Sequence, residues 1–499
     1  MQKMRNWRKI IVGCMSIMMV ASMLTGCSNS AETKNKGKGS GDVPVIQVVM
    51  PSGANTDNTP AVQDAINEIL AEKIGARINI TWLGWGAYSN QMNLMLTGED
   101  EADVVMLAGY PISTLVNNGV LLDITDYYES DKEAFTNYVD PVYIDSERVN
   151  GKVYVVPNNN NFSSEACVMV NRKMADDLGL DLSDEEKIWT LDEIHDMAAM
   201  AVKKYPDIYG IVPQNGSLLL TGYTWDTMAD PKSLGVVEDY GNTGKVVSIT
   251  DCKDFIDFAT TMREWYKGGL IMQDCLSNTE AWSGLVTTGK AFCAFNNGGY
   301  PNGTFNEEST YYTLSLMQNC SFSTSRMTYA IVGNTKHPDV AFQVLKELYT
   351  NADVANLLAW GMEGTNYVLD EEGRAENPDG ITDQNNTYTV GSINAWVLPN
   401  MQITYDDDAT ISGFYKALKE YDNNANISGT LGCVFDSTPV SDEYAACSNV
   451  IDKYLASIMC GAVDTQETLA VFKKELQAAG EDKIIAEKQR QLDEFLANK

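Results

Sequence analysis

Three strand-like runs separated by two helical stretches open the chain beyond residue 43, and their order restricts its fold more than any other feature. VIQVVM at 45–50 reads as a buried strand. The turn-rich PSGANTDNT leads to Pro60 and a helix carrying Ala65, Ile66, Ile69 and Leu70 on one face, which Gly75 ends. RINITW follows with Ile78, Ile80 and Trp82 in alternation, then a helical stretch around 88–96, then ADVVML at 102–107. This alternation predicts an α/β fold on an open, mostly parallel sheet. Ligands of such sheets lie beyond the carboxyl ends of the strands, here the loops around Ser52 and Tyr110.

Farther along, NGKVYVVP at 150–157 and EACVMVNR at 165–172 read as strands. Thr190 and Glu193 form a capping-box pattern ahead of an amphipathic helix reaching about Lys204. His195 lies on that helix, where a lone histidine reads as an ordinary surface residue. DFIDFATTMREWYK is helical and stopped by Gly268 and Gly269, and KAFCAF is a strand opening into NNGGYPNG. MTYAIVGN precedes a helix over about 339–349, with Val340, Val344, Leu345 and Leu348 on one face. The C-terminal stretch sets Leu469, Phe472 and Leu476, then Ile485, Leu492 and Phe495, at helical spacing. No internal repeat is visible.

At the other end, Lys3, Arg5, Arg8 and Lys9 precede a largely apolar run, 10–24, shorter than the roughly 20 residues of a membrane-spanning helix. LTGCSNS closes that run, and its small residues before Cys27 resemble a bacterial lipobox. Residues 1–26 then read as a lipoprotein signal peptide and Cys27 as the lipidated first residue of the mature chain. An anchor of two or three acyl chains holds a protein on the outer face of the membrane far longer than one chain does. The polar, glycine-rich stretch 27–42 reads as a flexible tether.

The formal net charge is −32, and loss of residues 1–26, with four basic and no acidic side chains, moves it to −36. Such acidity argues against nucleic acid or an anionic membrane surface as a partner. Eight of the ten cysteines lie outside the signal and the anchor, none in a CxxC pair, and His195 and His337 are the two histidines. No zinc site is expected; the thiols read as small buried apolar residues, with pairing left open.

Motifs for chemistry are few. GLVTTGKA at 284–291 departs from a phosphate-binding loop where Ala291 replaces the magnesium-holding hydroxyl, and the residues before it read as helix rather than strand. DNNANISG places Asp422, Asn424 and Asn426 at calcium-loop positions, but Ile427 replaces the glycine and Cys433 the closing glutamate, so it reads as a turn. GxSxG and HExxH are absent, no carboxylate pair stands out among 68 acidic residues, and no cofactor is expected. Aromatics in polar loops carry more. WLGWGAY holds Trp82, Trp85 and Tyr88, LAGYP holds Tyr110, TGYTWD holds Tyr223 and Trp225, and NNGGYPN holds Asn296, Asn297 and Tyr300. A ring covers the CH face of a pyranose while amide and carboxylate groups take its hydroxyls; for any one of these aromatics a core place is an equal alternative, and it is their recurrence at loop ends that points to a sugar.

In order along the chain, LTGC, NGKVYVVP, MVNRKMADDLGL with TLDEIHDMAAMAVKK, TGKAFCAFNNGG, and AIVGNTKHPDVAFQVLKELYT with WGMEGTNY resemble family 1 extracellular solute-binding proteins, the lipoprotein receptors of carbohydrate ABC importers. The tail from AWVLP at 395 to the last residue is similar to the extension of a large Gram-positive subgroup often linked to oligosaccharides. The resemblance implies a two-lobe periplasmic-binding-protein-like (type II) fold with crossing hinge strands around a ligand cleft. Lobe one is expected at 43–155 plus 328–390, and lobe two at 156–327 plus 391–499. Ser52, Trp85 and Tyr110 would face Tyr223, Trp225, Asn296, Asn297 and Tyr300 across the cleft. In maltodextrin-binding relatives, aromatics at the places matched by Tyr110, Tyr223 and Trp225 stack on sugar rings. The implied partners are an oligosaccharide and ABC permease subunits, with the receptor a monomer that works by closure rather than by chemistry. Two other readings stay open: a surface-anchored carbohydrate-active enzyme, which needs paired carboxylates and turnover, and a receptor for a non-sugar solute such as a peptide or polyol.

Overall fold

The computed structural model describes residues 43–98, 102–159, 162–184, 187–214, 224–298, 309–313, 317–322, 327–408 and 412–498. The described chain from Pro44 onward forms one compact unit. In chain order its main strands are β1 (Val45–Ser52), β2 (Arg77–Gly84), β3 (Val104–Leu107), β4 (Val155–Pro157), β5 (Glu165–Asn171), β6 (Tyr209–Val212), β7 (Val236–Val237), β8 (Val246–Val247), β9 (Ala291–Gly298), β10 (Ser309–Thr313), β11 (Cys320–Ser321) and β12 (Thr328–Ile331). They make a five-stranded sheet of order β2-β1-β3-β12-β4 and a four-stranded sheet of order β10-β5-β9-β6.

The opening alternation folds as its pattern predicts. β1 pairs in parallel with β2 and with β3, with Val45 opposite Arg77 and Ser52 opposite Gly84. The helix α1 (Thr59–Ile74) carries Pro60 in its first turn and ends at Gly75, whose φ of 65° suits a residue without a Cβ. A buried amide then fixes that helix to the sheet: Asn67 Nδ2 donates to the Ile78 carbonyl at 3.0 Å and its Oδ1 accepts the Ile78 N–H at 2.6 Å. The Thr190–Glu193 capping box also forms, at the head of the helix Leu191–Lys204.

Each sheet is covered on both faces and separates two apolar clusters. Ile46, Val48, Met50, Val104, Met106, Tyr329 and Ile331 face α1 and the helix Pro338–Thr350, while Val49, Val105, Leu107 and Ala330 face the helix α2 (Tyr88–Thr97). Val168, Val170, Phe292 and Phe295 of the second sheet pack in a separate core, backed by Cys167, Met169, Ala291 and Ala294 on the other face. The helices Ser441–Met459, Thr465–Ala479 and Glu481–Asn498 complete that second core with Cys447, Ile451, Phe472, Leu476 and Ile484. All eight described cysteines are buried thiols.

Among the described residues the chain passes three times between the two cores: after Phe162, before Met327, and between Leu431 and Phe435. These passages pair with one another. Ser164 bridges Cys320, β11 lies parallel to the short strand Asn426–Ile427, and Asn159 bridges Asn400. Asp422, 5 % exposed, joins them: its carboxylate accepts the N–H of Phe162 at 3.1 Å, the N–H of Ser163 at 2.9 Å and the Ser163 hydroxyl at 2.7 Å. Next to it, the Tyr421 carbonyl accepts from Asn319 Nδ2 at 2.9 Å.

The first sheet is mostly parallel, as expected, and β12, which returns from the second core, is the one strand antiparallel to its neighbours β3 and β4. Three expectations change. NGKVYVVP forms a strand only at its end: Asn150 and Gly151, with φ of 52° and 77°, turn the chain so that Val149 pairs with Lys152. DNNANISG begins inside the helix Phe414–Asn423 rather than in a turn. Finally, residues beyond 390 do not all join the second lobe, since Val397, Leu398, Met401 and Leu431 pack in the first core. Replacing Asp422 with Ala removes a buried acceptor from two backbone N–H groups, and should lower the unfolding free energy by about 3 kcal/mol. Urea unfolding measures this directly, and Asp422→Asn, which keeps one oxygen, should lose less.

Candidate functional site

β1, β2 and β3 end together, and the turns that leave them meet in an aromatic shelf. The Ser52 hydroxyl accepts the Ala54 N–H at 3.0 Å, which bends the chain directly after β1. Asn394, at the end of the helix Val390–Asn394, straps that bend: its Nδ2 donates to the Pro51 carbonyl at 3.0 Å and its Oδ1 accepts the Gly53 N–H at 3.4 Å. Gly53 lets Trp85 lie close, as a Cβ there would stand 3.3 Å from the indole Cδ1.

Trp85 stacks on Trp396 with ring centroids 5.0 Å apart and planes 9° apart, and its other neighbour is Tyr88 at 5.5 Å. Tyr110 meets Tyr88 edge to face at 5.9 Å. Tyr88 is the fixed member of the group: its hydroxyl donates to the Met106 carbonyl at 2.8 Å and accepts the Ala108 N–H at 2.9 Å, which ties it to the carboxyl end of β3. Tyr110 donates to the Ser89 carbonyl at 3.2 Å. Burial raises the pKa of both phenols, so both stay neutral at physiological pH. Trp85 and Tyr110 are half-buried, and Trp396 is 38 % exposed. The Trp396 carbonyl accepts from Asn158 Nδ2 at 2.7 Å, so the backbone that carries the outer indole is tied to the residue that follows β4.

Of the residues expected at the site, Ser52, Trp85 and Tyr110 fall in this shelf. Trp225 is 4 % exposed and packs edge to face on Phe255 in the second core, so its indole serves packing rather than a cleft surface. Asn296 is buried on β9 with its backbone opposite Cys167, and Asn297 continues that strand opposite Ala166. Tyr223, Tyr300 and Cys27 lie outside the described residues. The sequence reading missed Trp396, Asn394 and Asn158. A signal was present, because NAWVLPN sets Trp396 between Asn394 and Asn400, the same aromatic-and-amide pattern as the other loops.

The shelf residues named here carry no charge, and they offer apolar ring area beside amides and hydroxyls. That combination suits a neutral, hydroxyl-rich ligand with an apolar face. His195, on its helix, is 42 % exposed and beside Asp196 at 3.0 Å, as expected of a surface residue. Among the described residues, no group of three or more His, Cys, Asp or Glu side chains could hold a metal ion.

The family model described as bacterial extracellular solute-binding protein matches residues 53–355, and another, described as a domain of unknown function, matches residues 429–497. The carbohydrate ABC transporter substrate-binding protein of Streptococcus pneumoniae serotype 4 is 26 % identical over 507 residues, covering 99 % of this chain and 100 % of its own. The solved N-glycan transport solute binding protein of Streptococcus pneumoniae has a TM-score of 0.79 at 24 % identity, over 91 % of this chain and 99 % of that one. Its complex with Man5GlcNAc gives a TM-score of 0.66 at 23 % identity over the same shares, so the fold is shared. The chain belongs to the family of bacterial extracellular solute-binding proteins.

Proposed function

We propose that this chain captures an oligosaccharide between its two lobes and delivers it to an ABC importer. The observation that carries the reading is the uncharged shelf of Trp85, Trp396 and Tyr110 at the strand ends, framed by Ser52, Asn158 and Asn394. Relatives whose names record carbohydrate transport and a bound N-glycan fragment support it. The sugar closes the protein by touching both halves at once, and the closed form is what the permease subunits meet. The second half supplies its contacts from the loops of Tyr223, Asn296, Asn297 and Tyr300. Capture needs no bond-breaking, and the protein works as a monomer. Lipidation of Cys27 keeps it at the outer surface of the cell membrane, with 27–42 as its tether.

A thermal-shift screen of the chain from Ser28 onward against high-mannose glycans, other oligosaccharides, polyols and peptides tests the reading, with sugar products followed in the same wells. Man5GlcNAc at a hundredfold excess over its dissociation constant should add roughly 2.7 kcal/mol of stability. Appearance of products would favour the enzyme reading, and a shift with peptides or polyols alone would replace the sugar.

Two tryptophans separate the site from the core. Trp396→Ala should weaken glycan binding about tenfold, equivalent to roughly 1.4 kcal/mol, with little change in melting temperature. Trp225→Ala should instead cost about 3 kcal/mol or more of stability, because it leaves a cavity in the second core. Titration calorimetry and urea unfolding of both variants read the split. Cys27→Ser should release the protein from the cell surface into the medium, read by fractionation and immunoblotting.

A further inference from the structure

Backbone strain is concentrated in one part of the second half. Six described non-glycine residues have positive φ, and all but Asn150 lie between 228 and 240: Met228 at 54°, Ala229 at 60°, Ser233 at 55°, Asp239 at 52° and Tyr240 at 51°. Left-handed backbone is unfavourable for residues with a Cβ, so such a segment persists only where its surroundings hold it. What holds it here is the C-terminal region, the part matched as a domain of unknown function.

The contacts are specific and buried. Lys488 is fully enclosed, and its ammonium donates to Asp230 Oδ2 at 3.0 Å, to the Leu234 carbonyl at 3.1 Å and to the Gly235 carbonyl at 2.7 Å. Tyr444 donates to the other Asp230 oxygen at 2.7 Å, and Asp230 in turn accepts the N–H groups of Lys232 and Leu234. The adjacent Gln489 holds the far strand of the β7–β8 hairpin, accepting the Val246 N–H at 2.8 Å and donating to the Gly244 carbonyl at 3.0 Å. The hairpin passes this restraint on. Asp226 and Val237 exchange both backbone hydrogen bonds at 2.8 Å, and the Tyr240 N–H donates to the Thr224 carbonyl. Thr224 and Asp226 are themselves part of TGYTWD, the loop of Tyr223.

We propose that the C-terminal domain is a buttress for the 224–247 segment, and that Lys488 and Gln489 are positioning residues that set glycan affinity through it. The proposal rests on the reading above that the TGYTWD loop meets the sugar. Burial lowers the Lys488 pKa while Asp230 opposes the shift, and the two backbone carbonyls give the cation acceptors that no solvent supplies there. Because Lys488 and Gln489 are adjacent and reach opposite ends of the hairpin, one turn of helix fixes both strands.

Two variants test it: Gln489→Ala, which removes only the outer clip, and Lys488→Met combined with Asp230→Asn, which removes the buried charge pair without stranding one partner. Hydrogen exchange should be about tenfold faster across 224–247 and unchanged across 45–107. The dissociation constant for Man5GlcNAc should rise about fivefold or more, while the melting temperature of Gln489→Ala stays within about 3 °C of the parent. Unchanged exchange at 224–247 in Gln489→Ala overturns the buttress, as does faster exchange with unchanged affinity. If the double variant does not fold, Gln489→Ala alone decides. Should the parent chain itself fail to bind any glycan, the functional reading falls, and the exchange comparison still supports or overturns the buttress.

Discussion

One buried carboxylate, that of Asp422, sits where the chain passes between its two cores, and the layout of everything around it depends on the bonds it accepts. Burying a charge is costly unless donors replace the lost water, and Phe162 and Ser163 provide three of them. Amides extend the same junction. Asn159 donates to Asn400 at 2.9 Å, Gln402 donates to Asn159 at 2.9 Å, and Asn400 donates to the Tyr349 carbonyl at 2.7 Å. Asn158 adds the bond that carries the functional consequence, because its amide reaches the Trp396 carbonyl while its own N–H donates to the Met327 carbonyl. The backbone that carries the outer ring of the aromatic shelf is thus bonded to the stretch that leads from β4 toward the second core.

Much of the architecture was legible because it is written locally. The apolar alternation of β1 to β3, the face of α1, the stop at Gly75 and the capping box at Thr190 each depend on residues within a few positions of one another. Strand direction is different in kind. β12 is an ordinary apolar run, and only the route by which the chain re-enters the first half makes it antiparallel to its neighbours. The same limit explains Val397, Leu398 and Met401: their hydrophobicity is plain in the sequence, but not which core receives them.

The site divides in the same way. Ser52, Trp85 and Tyr110 could be placed because strand ends in a parallel sheet are where loops gather. Trp225 could not be separated from them, since a tryptophan in a polar loop and one in a core carry the same letters around them, and it lies against Phe255 instead. Trp396 was passed over because its partner, Trp85, is far away in sequence, and stacking between distant segments leaves no spacing to read. Asp422, met first as a fragment of an incomplete calcium loop, owes its burial to backbone N–H groups far away in sequence.

The pair of indoles has an optical consequence. Rings 5.0 Å apart and 9° from coplanar lie close enough for their excited states to interact, so Trp85 and Trp396 share one spectroscopic signature instead of two separate ones. Trp85 follows β2 directly, and the main-chain carbonyl of Trp396 is bonded to Asn158, which follows β4. A change in their separation alters near-ultraviolet circular dichroism and emission without any added label, which makes the pair an intrinsic optical reporter of the shelf itself.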